Sequence, residues 1–184
     1  MILKYRTESD ELLTLRSLNT RMILTEKEKF HYSVLEKGFE GERKFDQLLE
    51  ILQEERCILN DLLLEVNNSY FQIDSLIISQ EAIYLLDVKN YQGDYYLDSD
   101  KLYSVTTDRE YKNPVTQLQR SATLFRQLLQ SLKRNFLVEA SVIFINPEFT
   151  LYQCPVDQPF IFPTQVNRFL KSLNQTTSKL TMSK

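Results

Sequence analysis

The stretch LLDVKNYQG, Leu85 to Gly93, sets a carboxylate and an ammonium two positions apart, Asp87 and Lys89, in an apolar run. Side chains on a strand alternate faces, so these two point one way while Leu86 and Val88 point the other. The preceding run FQIDSLII, Phe71 to Ile78, carries Asp74 among residues that would bury both faces of a strand. A two-residue loop at Gln80-Glu81 sets Ser79 against Ala82 and, counting outward, Asp74 directly against Asp87. Opposed residues share a face with Cβ atoms about 4.5–5.5 Å apart, and like charges there repel. Either one carboxyl takes up a proton or a cation lies between the two. With hard oxygen ligands and no imidazole nearby, that cation is Mg²⁺ or Mn²⁺. Lys89 beside it has two uses, to neutralise a scissile phosphate or to orient and help deprotonate a metal-bound water. Both uses point to phosphodiester hydrolysis. Taken alone, an acid and a lysine at alternate strand positions more commonly form a solvated face. Asp74 in its apolar context is what shifts the balance toward a ligand.

Other chemistries are excluded by scarcity. His31 is the one imidazole, in a polar helix-like stretch, so a histidine triad or zinc hydrolase has no residues to use. Three glycines, Gly38, Gly41 and Gly93, assemble neither a P-loop nor a dinucleotide fingerprint. Cys57 and Cys154 are too few for a disulfide framework and read as buried free thiols. There is no membrane-length apolar run and no basic-then-apolar leader, so a cytoplasmic protein with no membrane partner is expected.

Elements must position these groups. The 184 residues suit one main domain, with 42% apolar and 26% charged residues marking a globular composition. Leucines at 12, 15 and 18 predict a helix from Ser9 to about Leu24, and Thr25 with Glu28 forms a capping box that restarts a helix to about Lys37. Gly38 is expected to interrupt, followed by a further helix over roughly Glu40 to Glu55 with Phe45, Leu48, Leu49 and Leu52 inward. Leu62 to Val66, Tyr70 to Ser79 and Ala82 to Lys89 read as successive antiparallel strands, and Tyr95 to Leu97 with Leu102 to Val105 as a hairpin. Asn113-Pro114 opens a helix with an apolar stripe from Val115 to Leu132. Ala140 to Ile145 reads as a buried strand, and a short helix is expected near Gln165 to Leu173. This order predicts an α/β fold with a mixed sheet. The expected organisation is a helical arm at 1–37, a main domain at 38–173 and a loose tail at 174–184.

Four segments, GFEGERKFDQLL (Gly38 to Leu49), QIDSLII (Gln72 to Ile78), LLDVKNYQG and NPVTQLQR (Asn113 to Arg120), together resemble the nuclease-related domain family, NERD. That family is similar to the PD-(D/E)XK, restriction-endonuclease-like superfamily of metal-dependent nucleases. The resemblance spans about Lys37 to Asn146. It implies a restriction-endonuclease-like mixed β-sheet flanked by helices, and Mg²⁺-assisted cleavage of DNA. Position by position it implies that Asp74 and Asp87 are the two acids that hold metal, aided by the Val88 carbonyl. Lys89 would be the lysine, Glu42 the acid of the preceding helix, serving water or a second ion, and Gln117 a glutamine that orients water or substrate. Two departures stand out: Ile73 replaces the signature proline, and Asp87 is one methylene shorter than the glutamate more usual in the family. Apart from the resemblance, Glu42 also reads as a solvated helix acid, Gln117 as a surface glutamine and Gly38 as a helix C-cap.

Between Arg109 and Arg134 six basic residues stand against only Glu110, in a chain whose net charge is −3. Arg109, Lys112, Arg120 and Arg126, with Tyr91 and neighbouring tyrosines, suit backbone contact and base stacking of DNA or RNA. Tyrosines packed within a hairpin and a solvated basic helix face are the plainer alternative. A metal-dependent deoxyribonuclease is the leading reading. The alternative is a weakly active or non-catalytic nucleic-acid-binding or protein-interaction module, with the arm serving a partner or a homodimer. A phosphohydrolase of small nucleotides ranks third, for lack of a glycine-rich cradle.

Overall fold

A computed structural model describes residues 1–52, 56–80 and 82–175. Helix α1 (Asp10–Arg21) is capped by Ser9, whose side chain accepts from the Leu12 amide. Helix α2 (Glu26–Leu49) opens with the expected box, in which Thr25 Oγ1 accepts from the Glu28 amide and Glu28 accepts from the Thr25 amide. The expected break at Gly38 is absent: α2 runs through it as one helix, so the arm and domain expected to meet at 37–38 share a single rod. An interior glycine costs a helix only about 1 kcal/mol. Burial of Phe45 and Leu49 on the sheet outweighs it. The helix ends at Leu49, short of the expected Glu55, and residues 53–55 lie outside the described residues.

Strands β1 (Ile2–Lys4), β2 (Cys57–Val66), β3 (Ser69–Ile78), β4 (Ala82–Lys89), β8 (Leu137–Phe144) and β10 (Phe160–Ile161) form a mixed sheet in the order β1-β2-β3-β4-β8-β10. The β2–β3–β4 stretch is antiparallel, while β1 on β2, β8 on β4 and β10 on β8 are parallel. A second sheet joins β7 (Glu110–Tyr111), β6 (Lys101–Ser104), β5 (Gly93–Asp98) and β9 (Phe149–Tyr152) in that order. Helix α3 (Pro114–Ser131) starts as expected, the Asn113 side chain accepting from the Val115 amide with proline in the first turn. Helix α4 (Pro163–Gln175) carries order beyond Asn174, where the loose tail was expected to begin, and residues 176–184 lie outside the described residues.

The sheet separates two cores. On one face α2 and α4 bury Phe45, Leu49, Val166 and Leu170 against Ile77, Leu86 and Val88. On the other, Ala122 and Phe125 of α3 pack on Phe71, Ile73, Leu76, Ile83 and Leu85. The second sheet closes over the start of α3 through Tyr95, Leu97, Val115, Leu118 and Phe144. This is a restriction-endonuclease-like α/β architecture with a mixed sheet between helical layers.

Candidate active site

The β3–β4 register is the one the two-residue loop requires, from Ile78↔Ile83 to Ser75↔Leu86, with the Ser79 amide donating to the Ala82 carbonyl. The next step outward would be Asp74↔Asp87, and there the ladder stops. Instead an Asp74 carboxylate oxygen accepts the Val88 amide at 2.8 Å. The cause lies in β2 and β3 together, because pairing runs through Asn60↔Ser75 and resumes at Leu62↔Ile73, leaving Asp61 and Asp74 facing each other outside it. Asp61 has φ 53°, and both strands change which parity of residue faces α3 at this point: Leu62 and Leu59, Ile73 and Leu76 all join the same cluster. Such irregularities re-aim side chains, and two carboxylates are released here from the regular pleat.

Asp87 and Lys89 share a face as alternation requires. Lys89 Nζ donates to Asp87 Oδ1 at 3.0 Å and lies 2.9 Å from Oδ2, yet buried Oδ2 receives no hydrogen bond. Burial, and after it the Asp74 charge, push the Asp87 carboxyl up to about 6 against the pull of Lys89. Burial opposes the charge on Lys89, but Asp87 and Asp74 outweigh it and raise its pKa, so the side chain is a fixed cation rather than a proton acceptor.

Glu42 reaches the same place from α2. Burial first, then Asp74, raise its carboxyl to about 7, with Arg6 acting the other way. Helix and sheet approach closely here because of Gly41: a Cβ on it would stand 2.4 Å from Asn90 Cβ. Asn90 Nδ2 also donates to the Lys37 carbonyl at 2.7 Å, tying the end of β4 to α2. Gly93, at φ 97°, supplies the turn that follows.

A cleft of about 750 Å³ joins these groups. Asp61, Asp74, the Val88 position, Lys89 and Tyr91 from the sheet and the chain after β4 line it, with Glu42, Phe30 and Val34 of α2 and Leu12 of α1. Asp87 sits below the cleft, against a small void shared with Asp74, Leu118 and Ser121. Gln117 is exposed on α3 and does not line the cleft. Among the basic residues, Arg109 stacks between Phe30 and Tyr111, its Cζ 5.3 Å and 5.6 Å from their ring centroids. Arg120 donates to the Tyr70 carbonyl and Arg126 to the Val138 carbonyl, while Lys112 is exposed. Tyr91 lines the cleft but is stacked on Tyr95 at 5.5 Å, so the tyrosines pack as the hairpin alternative expects.

Two site residues had no part in the sequence reading. Asp61 belongs to a strand that begins at Cys57 and not at Leu62, and the parity slip between Leu59 and Leu62 was its visible signal. Arg6, two residues past β1, has a side chain only 3% exposed and holds Glu42, Asp46 and the Asp74 main chain. Nothing local in the sequence announces it.

The donor set suits a small hard cation in chemistry: all oxygen, with Asp87 buried, Asp74 and Glu42 half-buried, and the Asp87 and Glu42 carboxyls raised by burial and by the Asp74 charge. Among the described residues, however, no three His, Cys, Asp or Glu side chains are grouped so as to hold an ion as they stand. Lys89 and Arg6 lie on Asp87 and Glu42.

The fold is that of a restriction-endonuclease-like protein. Residues 37–145, more than half of the chain, match the Nuclease-related domain family, NERD, and the chain belongs to that family. No curated protein and no solved structure matches it. No helix among the described residues is long and apolar enough to cross a membrane.

Proposed function

We propose that this domain is a divalent-metal-dependent nuclease hydrolysing phosphodiester bonds of DNA. The observation that carries the reading is the buried Asp87–Lys89 pair on one face of β4, with Asp74 close enough for its charge to act on Asp87, on Lys89 and on Glu42 of α2. Asp74 and Asp87, with the Val88 carbonyl, would hold Mg²⁺ or Mn²⁺. A bound ion supplies Lewis-acid polarisation of the phosphate and a more acidic water. Lys89, charged and fixed, neutralises the phosphate rather than accepting a proton. Glu42, with a carboxyl near 7, suits proton transfer at the attacking water. Gln117 serves only if a substrate reaches the exposed start of α3. A cytoplasmic setting fits the two free cysteines, Cys57 and Cys154.

The test is Mn²⁺ and Mg²⁺ titration of wild type and Asp87→Ala, following heat and cleavage of labelled DNA. Wild type is expected to bind and cleave, and the variant to lose both, with activity down by at least about 100-fold. Indistinguishable behaviour of the two proteins refutes catalysis at this centre. It would favour the second reading, a nucleic-acid-binding or protein-interaction module, whose specific support is that Lys89 and Arg6 already occupy the carboxylates.

A further inference from the structure

We propose that Arg6 is a positioning residue of this centre and the fixed cation at Glu42, so that the site takes one divalent ion, at Asp74 and Asp87, and not two. The inference rests on the metal-dependent reading above and assigns Glu42 to the water rather than to a second ion. Arg6 lies outside the segment that matches the family, 37–145, and reaches the centre from the chain that follows β1.

Every nitrogen of its guanidinium is engaged. Nε and Nη2 donate to the two oxygens of Asp46 at 3.0 and 3.1 Å, Nη1 to Glu42 Oε2 at 2.9 Å, and Nη2 also to the Asp74 carbonyl at 2.8 Å and Ser75 Oγ at 3.1 Å. The two-pronged grip of Asp46, one helical turn beyond Glu42 on α2, prevents the planar fork from swinging away. A second divalent ion on Glu42 would have to lie against this buried positive charge. Asp87 offers a different environment, met by the single ammonium of Lys89 and not by a two-pronged guanidinium. Arg6 also fixes the main chain at Asp74, where β2 and β3 leave their pleat, so it sets the place from which the Asp74 carboxylate departs.

The experiment is calorimetric titration of the whole chain with Mn²⁺ alone, on wild type, Arg6→Lys and Arg6→Gln, each checked for cooperative melting. One ion is expected for wild type and for Arg6→Lys, which keeps the charge. Two are expected for Arg6→Gln, which frees Glu42. Two ions on wild type, or one on Arg6→Gln, overturn the proposal. No ion on wild type refutes the metal-dependent reading itself, which separates the two failures. Should Arg6→Gln not fold, Glu42→Gln decides: the proposal requires one ion with affinity within about threefold of wild type, and a loss of about 10-fold or more, the size seen when a group supporting the ion is removed, overturns it.

Discussion

Two carboxyls at the centre bind protons more tightly folded than unfolded: Asp87, raised from 3.8 to about 6, and Glu42, raised from 4.5 to about 7, each chiefly by burial. Their contribution to stability is therefore full below the unfolded values and is lost as pH rises through the folded ones, the reverse of an ordinary salt-bridged acid. Each accounts for about 3–3.5 kcal/mol at most, since a shifted unit is about 1.4 kcal/mol. Without metal, Tm should fall by on the order of 5–10 °C between pH 5 and pH 8. Saturating Mn²⁺ should recover the Asp87 part of that loss, and stabilise more at pH 8 than at pH 5, because an ion at Asp74 and Asp87 binds the charged carboxylates of the folded state. Scanning calorimetry across that range checks both, and a Tm that climbs with pH in the metal-free protein would refute the assignment. At this scale the shared face of Asp87 and Lys89 was legible in the sequence, because strand alternation relates them over two positions. The direct facing of Asp74 and Asp87 was not, because the β2–β3 pleat breaks at Asp74 and its carboxylate turns to the Val88 amide. Arg6 was not, for its partners lie 36 to 69 residues away and only the assembled fold brings them together.

Local chemistry also decides which elements could be read in advance. The Thr25 and Glu28 box, the Asn113-Pro114 start and the β3–β4 register each rest on contacts within a few residues, and all three stand as the sequence suggests. Strands β1, β7, β9 and β10 were missed, because two to four residues carry no period of their own and pairing with distant chain makes them strands. The break at Gly38 failed because a glycine's helical penalty is small beside the burial that follows it. A matched pair of variants separates glycine's two roles in α2. Gly38 has open space where a Cβ would go, so Gly38→Ala should stabilise by about 0.5–1 kcal/mol and raise Tm by roughly 1–3 °C. Gly41→Ala drives a methyl into Asn90, whose amide ties β4 to Lys37. It should cost about 1–3 kcal/mol despite the better helix propensity, with Tm down by roughly 3–8 °C. Thermal melts of both decide it. A Gly41→Ala protein as stable as Gly38→Ala would mean that the close approach of α2 to the end of β4 is not needed.

Across the whole molecule, the acids stand where the pleat of β2 and β3 is broken and the two cores part, and the helical arm walls the cleft from outside. Arg109, between Phe30 of α2 and Tyr111 of β7, bridges arm and hairpin at that cleft's edge. Among the described residues the cleft wall holds two cations, Lys37 and Lys89, with several acids. A nucleic acid bound there therefore meets few positive charges, in keeping with a chain of net charge −3. Each neutralised phosphate contributes about 0.7 to 0.9 to the slope of log affinity against log salt, so a slope of roughly −2 to −3 is expected. Arg109→Ala should make it shallower by nearly one. Arg120→Ala and Arg126→Ala should leave it unchanged, since those guanidiniums are spent on the Tyr70 and Val138 carbonyls. Fluorescence anisotropy of a labelled strand in the presence of Ca²⁺, over a range of KCl concentrations, measures all four proteins. A slope of about −5 or steeper, flattened by the Arg120 or Arg126 variant, would move the bound strand from the cleft onto the outer face of α3, away from Asp74 and Asp87.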